Sequence, residues 1–251
     1  MVNYEFKLLK GGNCMGVDSI LGKMYFLQNM VIDVLSSVHP SIEHNITKIQ
    51  ALKKAFFHCS LEKLEGDYME YGVFEGTSFI SAFMNDYRIN KSRTNRKYIG
   101  FDSFEGFKFS EDIDKHPFFR EGDFKSSYDF VQKRVSKKLK DRAEFRLIKG
   151  YLEDTLKDKT PMDFGVEKIA VSLIDCDLHV PARMALNFMK GSLQEGSIII
   201  LDDYFAYKGS MEKGVAGAFE LFKDANRHIE FRRMFDYGYG GAGFIVSKIH
   251  K

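Results

Sequence analysis

Apolar and polar positions along this chain follow two rhythms. Between residues 17 and 60, Leu21, Met24, Tyr25, Leu27, Val31, Ile32 and Leu35 recur at the three-to-four spacing that lines one face of a helix. Pro40 is expected to break that run, and a second helical stretch extends from Ile46 to His58. From residue 66 onward the rhythm changes to short apolar runs separated by longer mixed segments. Residues 66–69, 97–102, 144–150, 168–175 and 196–203 read as buried strands. Segments beginning at Phe79, Pro181 and Gly214 read as the intervening helices. Two further strands, 229–234 and 243–248, follow with only a Gly-rich turn between them, so they form an antiparallel hairpin. Strand–helix alternation implies an α/β, Rossmann-like, doubly wound and mostly parallel sheet that ends in that hairpin. Residues 1–60 form an N-terminal helical extension or cap, and residues 61–251 form the sheet domain.

The first strand leads into Glu70-Tyr71-Gly72-Val73-Phe74-Glu75-Gly76-Thr77-Ser78. A strand that turns through glycines into a helix offers free backbone N–H groups and the positive end of a helix dipole. Glycine also lets a ligand approach the backbone closely. On this reading Gly72→Val blocks a ligand sterically and leaves the fold intact. Glu70 disfavours phosphate and suits an ammonium or a sulfonium-bearing amino acid. The spacing lacks the middle glycine of G-x-G-x-x-G, and no G-x-x-x-x-G-K-[ST] is present. Taken alone, the turn is equally compatible with simple packing.

Composition narrows the classes. With 251 residues, 44% hydrophobic and 29% charged, the chain can bury a sizeable core as one domain with an appendage. A formal charge of +2 supplies no field for nucleic acid. The basic run from Arg88 to Lys97 lacks interleaved aromatics and reads as a solvated loop. Three cysteines without C-x-x-C spacing argue against a disulfide scaffold or structural zinc. No signal-peptide pattern and no apolar stretch of membrane-spanning length is present, so the expected setting is cytoplasmic and away from membranes.

Ligands of open α/β sheets sit outside the carboxyl ends of the strands. Here Glu70, Asp102, Asp175 and the pair Asp202-Asp203 end four strands, and Asp177 lies just beyond Asp175. One such acid is ordinarily a solvated strand end. So many on one edge repel and call for a cation. Asp175, Asp202 and Asp203 offer hard oxygen ligands for Mg²⁺. Asp102 is placed to accept hydrogen bonds from ribose hydroxyls.

Five segments, in order, resemble the signatures of the TylF/MycF macrocin-type O-methyltransferases. They are Glu70 to Ser78, Gly100-Phe-Asp-Ser-Phe-Glu-Gly106, Lys149-Gly-Tyr-Leu-Glu-Asp-Thr-Leu156, Ile174-Asp-Cys-Asp-Leu-His179 and Ile200-Leu-Asp-Asp-Tyr204. The resemblance implies a class I methyltransferase fold and Mg²⁺-dependent O-methylation by S-adenosyl-L-methionine, usually of a deoxysugar hydroxyl. It also implies that the methionine end of the cofactor meets Glu70, Tyr71, Gly72, Glu75, Thr77 and Ser78. The ribose would meet Asp102 and Ser103, and Gly150, Tyr151 and Glu153 would border the adenine. Asp175 stands next to the cofactor, and Asp175, Asp202 and Asp203 match the metal ligands. His179 stands where the family usually has Tyr and is expected to face the acceptor. Residues 110–124 look like the family's mobile lid.

The chemistry agrees. A sugar hydroxyl is a poor nucleophile until a metal or a base acts on it. Asp175 and Asp177 are the candidate catalytic acids, and the sequence does not separate their roles. Two alternatives remain open: a catechol-type aromatic O-methyltransferase, and a non-catalytic cofactor-binding or assembly protein. The expected partners are a small-molecule or glycan acceptor and further copies of the chain, with residues 17–60 supplying much of a homo-oligomer interface.

Overall fold

The computed structural model describes residues 15–90 and 95–250, with side chains from residue 24 onward. The stretch expected as a basic surface loop falls partly outside them. Among the described residues, seven strands form one sheet: β1 (Asp67–Tyr71), β2 (Tyr98–Asp102), β3 (Phe145–Lys149), β4 (Ile169–Ile174), β5 (Ile198–Leu201), β6 (Ile229–Tyr237) and β7 (Gly241–Ile249). The helices are α1 (Met15–Ser36), α2 (Pro40–Leu61), α3 (Thr77–Ile89), α4 (Tyr128–Leu139), the single turn α5 (Leu152–Thr155), α6 (His179–Met189), the irregular turn α7 (Ala206–Gly209) and α8 (Gly214–Ala225).

The strand order is β3-β2-β1-β4-β5-β7-β6. β1 to β5 are parallel, and β7 pairs antiparallel with both β5 and β6. Chain direction across the sheet reverses between β1 and β4, which opens a crevice at their carboxyl ends. All six residues of β4 and all four of β5 are buried, as strands covered on both faces require. Alternation along β1 sends Tyr68 to one face, with Phe56 of α2, Phe79 and Phe83 of α3 and Val131 and Val135 of α4. It sends Met69 and Tyr71 to the other, with Leu186 of α6 and Phe219 of α8.

The strands lie where the hydrophobic runs place them. Helix boundaries differ more. Pro40 opens α2 instead of merely ending its predecessor, because the first helical position needs no N–H partner. The chain divides into two compact units, Met1–Ile42 and Glu43–Lys251. Most of α2 thus belongs to the unit that contains the sheet, where Leu52 and Phe56 are fully buried. Among the described residues no helix is long and apolar enough to cross a membrane.

Candidate active site

The crevice is built first from the glycine turn. Gly72 has φ +94°, its N–H donates to Phe101 O at 2.9 Å, and a Cβ there would lie 1.9 Å from the Asp175 carbonyl oxygen. The close approach that needs glycine is therefore to the end of β4. Gly72→Val strikes the fold itself, contrary to the sequence-based expectation. Asp175 N–H returns a 2.8 Å bond to Tyr71 O, which fastens β4 beside the turn. The Tyr71 ring points away, buried and stacked on Phe101 at 5.3 Å, so only its backbone reaches the site.

Glu70 lies beneath the turn with no exposed surface. It accepts from Tyr68 Oη at 2.5 Å and from Ser78 Oγ at 2.6 Å, joining β1 to the first turn of α3. Burial pushes its carboxyl up from 4.5 to about 7, against those two hydrogen bonds and the Lys48 charge. The folded state thus holds this proton more tightly than the unfolded chain. The stability it contributes is complete below about pH 4.5 and is lost as pH rises through about 7. Thermal melts in EDTA between pH 5 and 8 are expected to show a falling midpoint that Glu70→Gln flattens in part. Parallel profiles for the two proteins would contradict this.

Asp102 stands at the carboxyl end of β2. One oxygen accepts from the Val73 and Phe74 amides at 2.8 and 2.7 Å, and the other accepts from Phe104 N at 2.6 Å. Three of about four lone-pair positions are filled, so Asp102 chiefly braces the glycine turn and has little capacity left for a ribose. Burial raises its pKa, and the three amides oppose that rise. Glu75 and Thr77 are exposed at the start of α3, where Arg134 donates to the Glu75 carbonyl at 2.5 Å and to Thr77 Oγ1 at 3.2 Å. Ser103 Oγ donates to Gly106 O at 3.2 Å. Gly150 N–H donates to Asp102 O at 2.9 Å, Tyr151 precedes α5, and Glu153 accepts from Ser110.

The acids sort into two sets. Asp175, Asp177 and Asp203 each bring a carboxylate oxygen within 4.8 Å of the others. Asp177 and Asp203 sit at φ +59° and +47°, a left-handed conformation that Asp tolerates better than most residues. Burial, and then Asp203, drives the Asp177 pKa well above the carboxylate range. Burial, and then Asp202, does the same for Asp175, with Lys48 opposing. Asp202, expected beside Asp175 and Asp203 as a metal ligand, meets Asp175 through a side-chain hydrogen bond and carries three further partners. It accepts from Lys48 Nζ at 2.6 Å, His44 Nε2 at 2.9 Å and Tyr237 Oη at 2.6 Å. Burial would raise its pKa, but Lys48 and His44 outweigh this and hold it well below the usual range. Lys48 also donates to Asp175 at 2.7 Å. Sequence reasoning missed His44, Lys48 and Tyr237. The only available signal is the i, i+4 spacing of His44 and Lys48, which puts both on one face of α2.

One other expectation changes, and the segment likened to a lid is anchored at one residue. His179 is buried, with its Nδ1 3.1 Å from Gly214 O, so it joins α6 to α8 and does not face an acceptor. The segment 110–124 is tied down at Asp114, which is fully buried. Its carboxylate accepts from Val180 N at 2.9 Å in the first turn of α6 and from Ser110 N at 3.1 Å, and its carbonyl accepts from Tyr207 Oη at 2.8 Å. Phe119 packs with Leu178 and Tyr207 on the same side.

Residues 38–231 match the model of a family described as macrocin-O-methyltransferase (TylF). The fold is similar to that of the O-methyltransferase NovP, with TM-score 0.67 and 18% identity over 84% of this chain and 89% of that one. It is similar also to the calicheamicin methyltransferase CalS11, with TM-score 0.60 and 18% identity over 92% and 86% of the two chains. A second, apo structure of CalS11, described as a TDP-rhamnose 3'-O-methyltransferase, has TM-score 0.52 at 17% identity over 92% and 87%. No curated protein matches the sequence.

Proposed function

The chain belongs to the macrocin O-methyltransferase (TylF) family of S-adenosylmethionine-dependent enzymes, and from that premise we propose that it methylates a hydroxyl of a sugar or glycosylated metabolite, with Mg²⁺ held by Asp175, Asp177 and Asp203. The observation that carries this reading is the gathering of those three acids at the crevice, next to the Gly72 turn. Three hard oxygen donors suit Mg²⁺, which keeps several positions for water or substrate. Charge supports the same reading: the carboxylates of Asp175, Asp177, Asp202 and Asp203 converge here, and Lys48 offsets one. A divalent ion offsets two more. The sugar acceptor is supported by the described substrate of CalS11.

In this reading the donor's methionine end lies over the Gly72 turn, rimmed by Glu75 and Thr77, while Glu70 and Ser78 hold the turn from below. Ser103 and the remaining capacity of Asp102 face the ribose, and Gly150, Tyr151 and Glu153 border the adenine. Asp175, Asp177 and Asp203 would hold Mg²⁺, which when bound would supply Lewis acidity toward the acceptor hydroxyl. The acceptor oxygen forms a bond to the methyl carbon as the carbon–sulfur bond breaks, leaving a methyl ether and a neutral thioether. The hydroxyl proton passes to a carboxylate, and Asp177 is better placed than Asp175 because Lys48 occupies Asp175. Calorimetric titration with S-adenosylhomocysteine, with and without Mg²⁺, tests the donor site. Absence of binding at millimolar concentration would sink the reading.

The apolar side chains of α1 support a homo-oligomer. Phe26 is 72% exposed, Leu35 63% and Met24 61%, and a helix apolar on several sides is covered in a stable protein. We assign its cover to a second copy of the chain. Light scattering at micromolar concentration should give a dimer or larger, and a monomer contradicts the assignment.

A further inference from the structure

His179, the imidazole expected at the acceptor, is buried between α6 and α8, but another histidine stands beside the acids. His116 lies in the segment 110–124, half-buried, two residues after the fully buried Asp114. Its ring centroid is 4.5 Å from that of Phe119 and 4.6 Å from that of Tyr207. Phe119 and Tyr207 form a small cluster with Leu178. Leu178 directly follows Asp177, and Tyr207 lies four residues beyond Asp203. The slab that carries His116 is thus continuous with the two turns that carry those acids. Burial lowers the His116 pKa, and the charge of Asp203 opposes that shift.

The ring is held in place. The Asp114 carboxylate accepts from Val180 N at 2.9 Å, and the Asp114 carbonyl accepts from Tyr207 Oη at 2.8 Å. Pro117 restricts the backbone of His116 itself. The neck of the segment is closed by Phe107 N–H donating to Asp123 O at 3.0 Å and Gly122 N–H donating to Phe107 O at 2.9 Å. His116 Nδ1 accepts from the Phe118 amide at 3.2 Å, so in the neutral ring Nε2 carries the proton. That N–H has no partner among the described residues.

We propose that His116 determines which hydroxyl is methylated: its Nε2–H donates to the hydroxyl beside the reacting one, and its ring, backed by Phe119 and Tyr207, walls that side of the pocket. The inference rests on the sugar-acceptor reading above and deepens it, because it requires an acceptor with two neighbouring hydroxyls. A sugar presents several hydroxyls of similar chemistry, so one contact at the reacting oxygen does not choose among them. A second, fixed polar contact does. The acids offer only acceptor oxygens when ionised, and the nearest ammonium, Lys48, is spent on Asp175 and Asp202. A neutral donor without a partner is the complement that a second hydroxyl needs. His116 takes no part in the bond exchange.

The test offers the full chain labelled S-adenosylmethionine, Mg²⁺ and a panel of nucleotide sugars, free glycans and glycosylated metabolites. For a sugar that the wild type methylates, His116→Phe keeps a ring and drops the donor. It should raise the acceptor KM about five- to tenfold and change kcat less than about threefold. His116→Gln, which returns an N–H, should recover most of that loss. An acceptor analogue lacking the neighbouring hydroxyl should serve wild type and His116→Phe equally. Calorimetry should give S-adenosylhomocysteine and Mn²⁺ affinities within about twofold of wild type in both variants. An unchanged KM in His116→Phe overturns the proposal and leaves the sugar reading intact. Joint loss of donor and Mn²⁺ binding also overturns it, since the role would then be structural. A wild type that methylates no sugar of the panel overturns both.

Discussion

Asp177→Asn is expected to lower kcat by about 10²–10⁴-fold while the protein stays folded. Asp177 is both one of the three cation-facing acids and the proposed proton acceptor. Asn keeps its size and tolerates the left-handed backbone at φ +59°. It cannot take the proton, and it is a poorer ligand for a hard cation. The same change removes a buried carboxylate that Asp203 repels, so the metal-free protein should melt no lower than wild type near neutral pH. Steady-state kinetics together with thermal melts in EDTA check both halves. Undiminished turnover would remove Asp177 from the mechanism. A large fall in melting temperature would make its role structural.

Gly72→Val is expected to lose stability on the order of 4 kcal/mol, a fall of roughly 10 °C in melting temperature for a chain of this size. Two costs add. A β-branched residue is forced to φ +94°, and its Cβ would need to lie 1.9 Å from the carbonyl oxygen of Asp175. The turn and the end of β4 cannot both remain in place. Donor binding and Mn²⁺ binding should therefore fail together, although Gly72 is not one of the acids. Calorimetry with each ligand, alongside a melt, separates this outcome from simple steric exclusion. A variant that melts like wild type and loses only the donor would show that the β4 end yields more readily than its hydrogen bond to Tyr71 implies.

The sequence made the strands and the acidic edge legible because both depend on local pattern. Apolar runs, broken only by Ser172 in β4, mark β4 and β5, and the acid that follows each run falls at the carboxyl edge by construction. The different surroundings of Asp202 and Asp203, both named as metal ligands, were not legible: the carboxylate of Asp203 gathers with Asp175 and Asp177, while Asp202 meets Lys48, His44 and Tyr237. Lys48 and His44 were hidden by distance, since their partners lie 127 and 158 residues further on. Nothing in a helical repeat says which of its polar residues will be buried against an acid. Asp102 and Glu70 show a related limit: sequence places a carboxylate at the turn, but only the fold reveals that backbone amides or hydroxyls already fill it. His179 follows the same rule, being drawn into the core by Gly214 O. α4 escaped notice because its apolar stripe of Val131, Val135 and Leu139 is one residue wide within a strongly charged helix.

The proposed reaction is metal-assisted methyl transfer to a sugar hydroxyl. Its most direct test is transfer of a labelled methyl group from S-adenosylmethionine to a panel of nucleotide sugars, free glycans, glycosylated metabolites and catechols, with Mg²⁺ and with excess EDTA. Label is expected on at least one sugar hydroxyl with Mg²⁺, and that signal should fall by orders of magnitude in EDTA. Turnover of catechols alone, or full activity in EDTA, would contradict it.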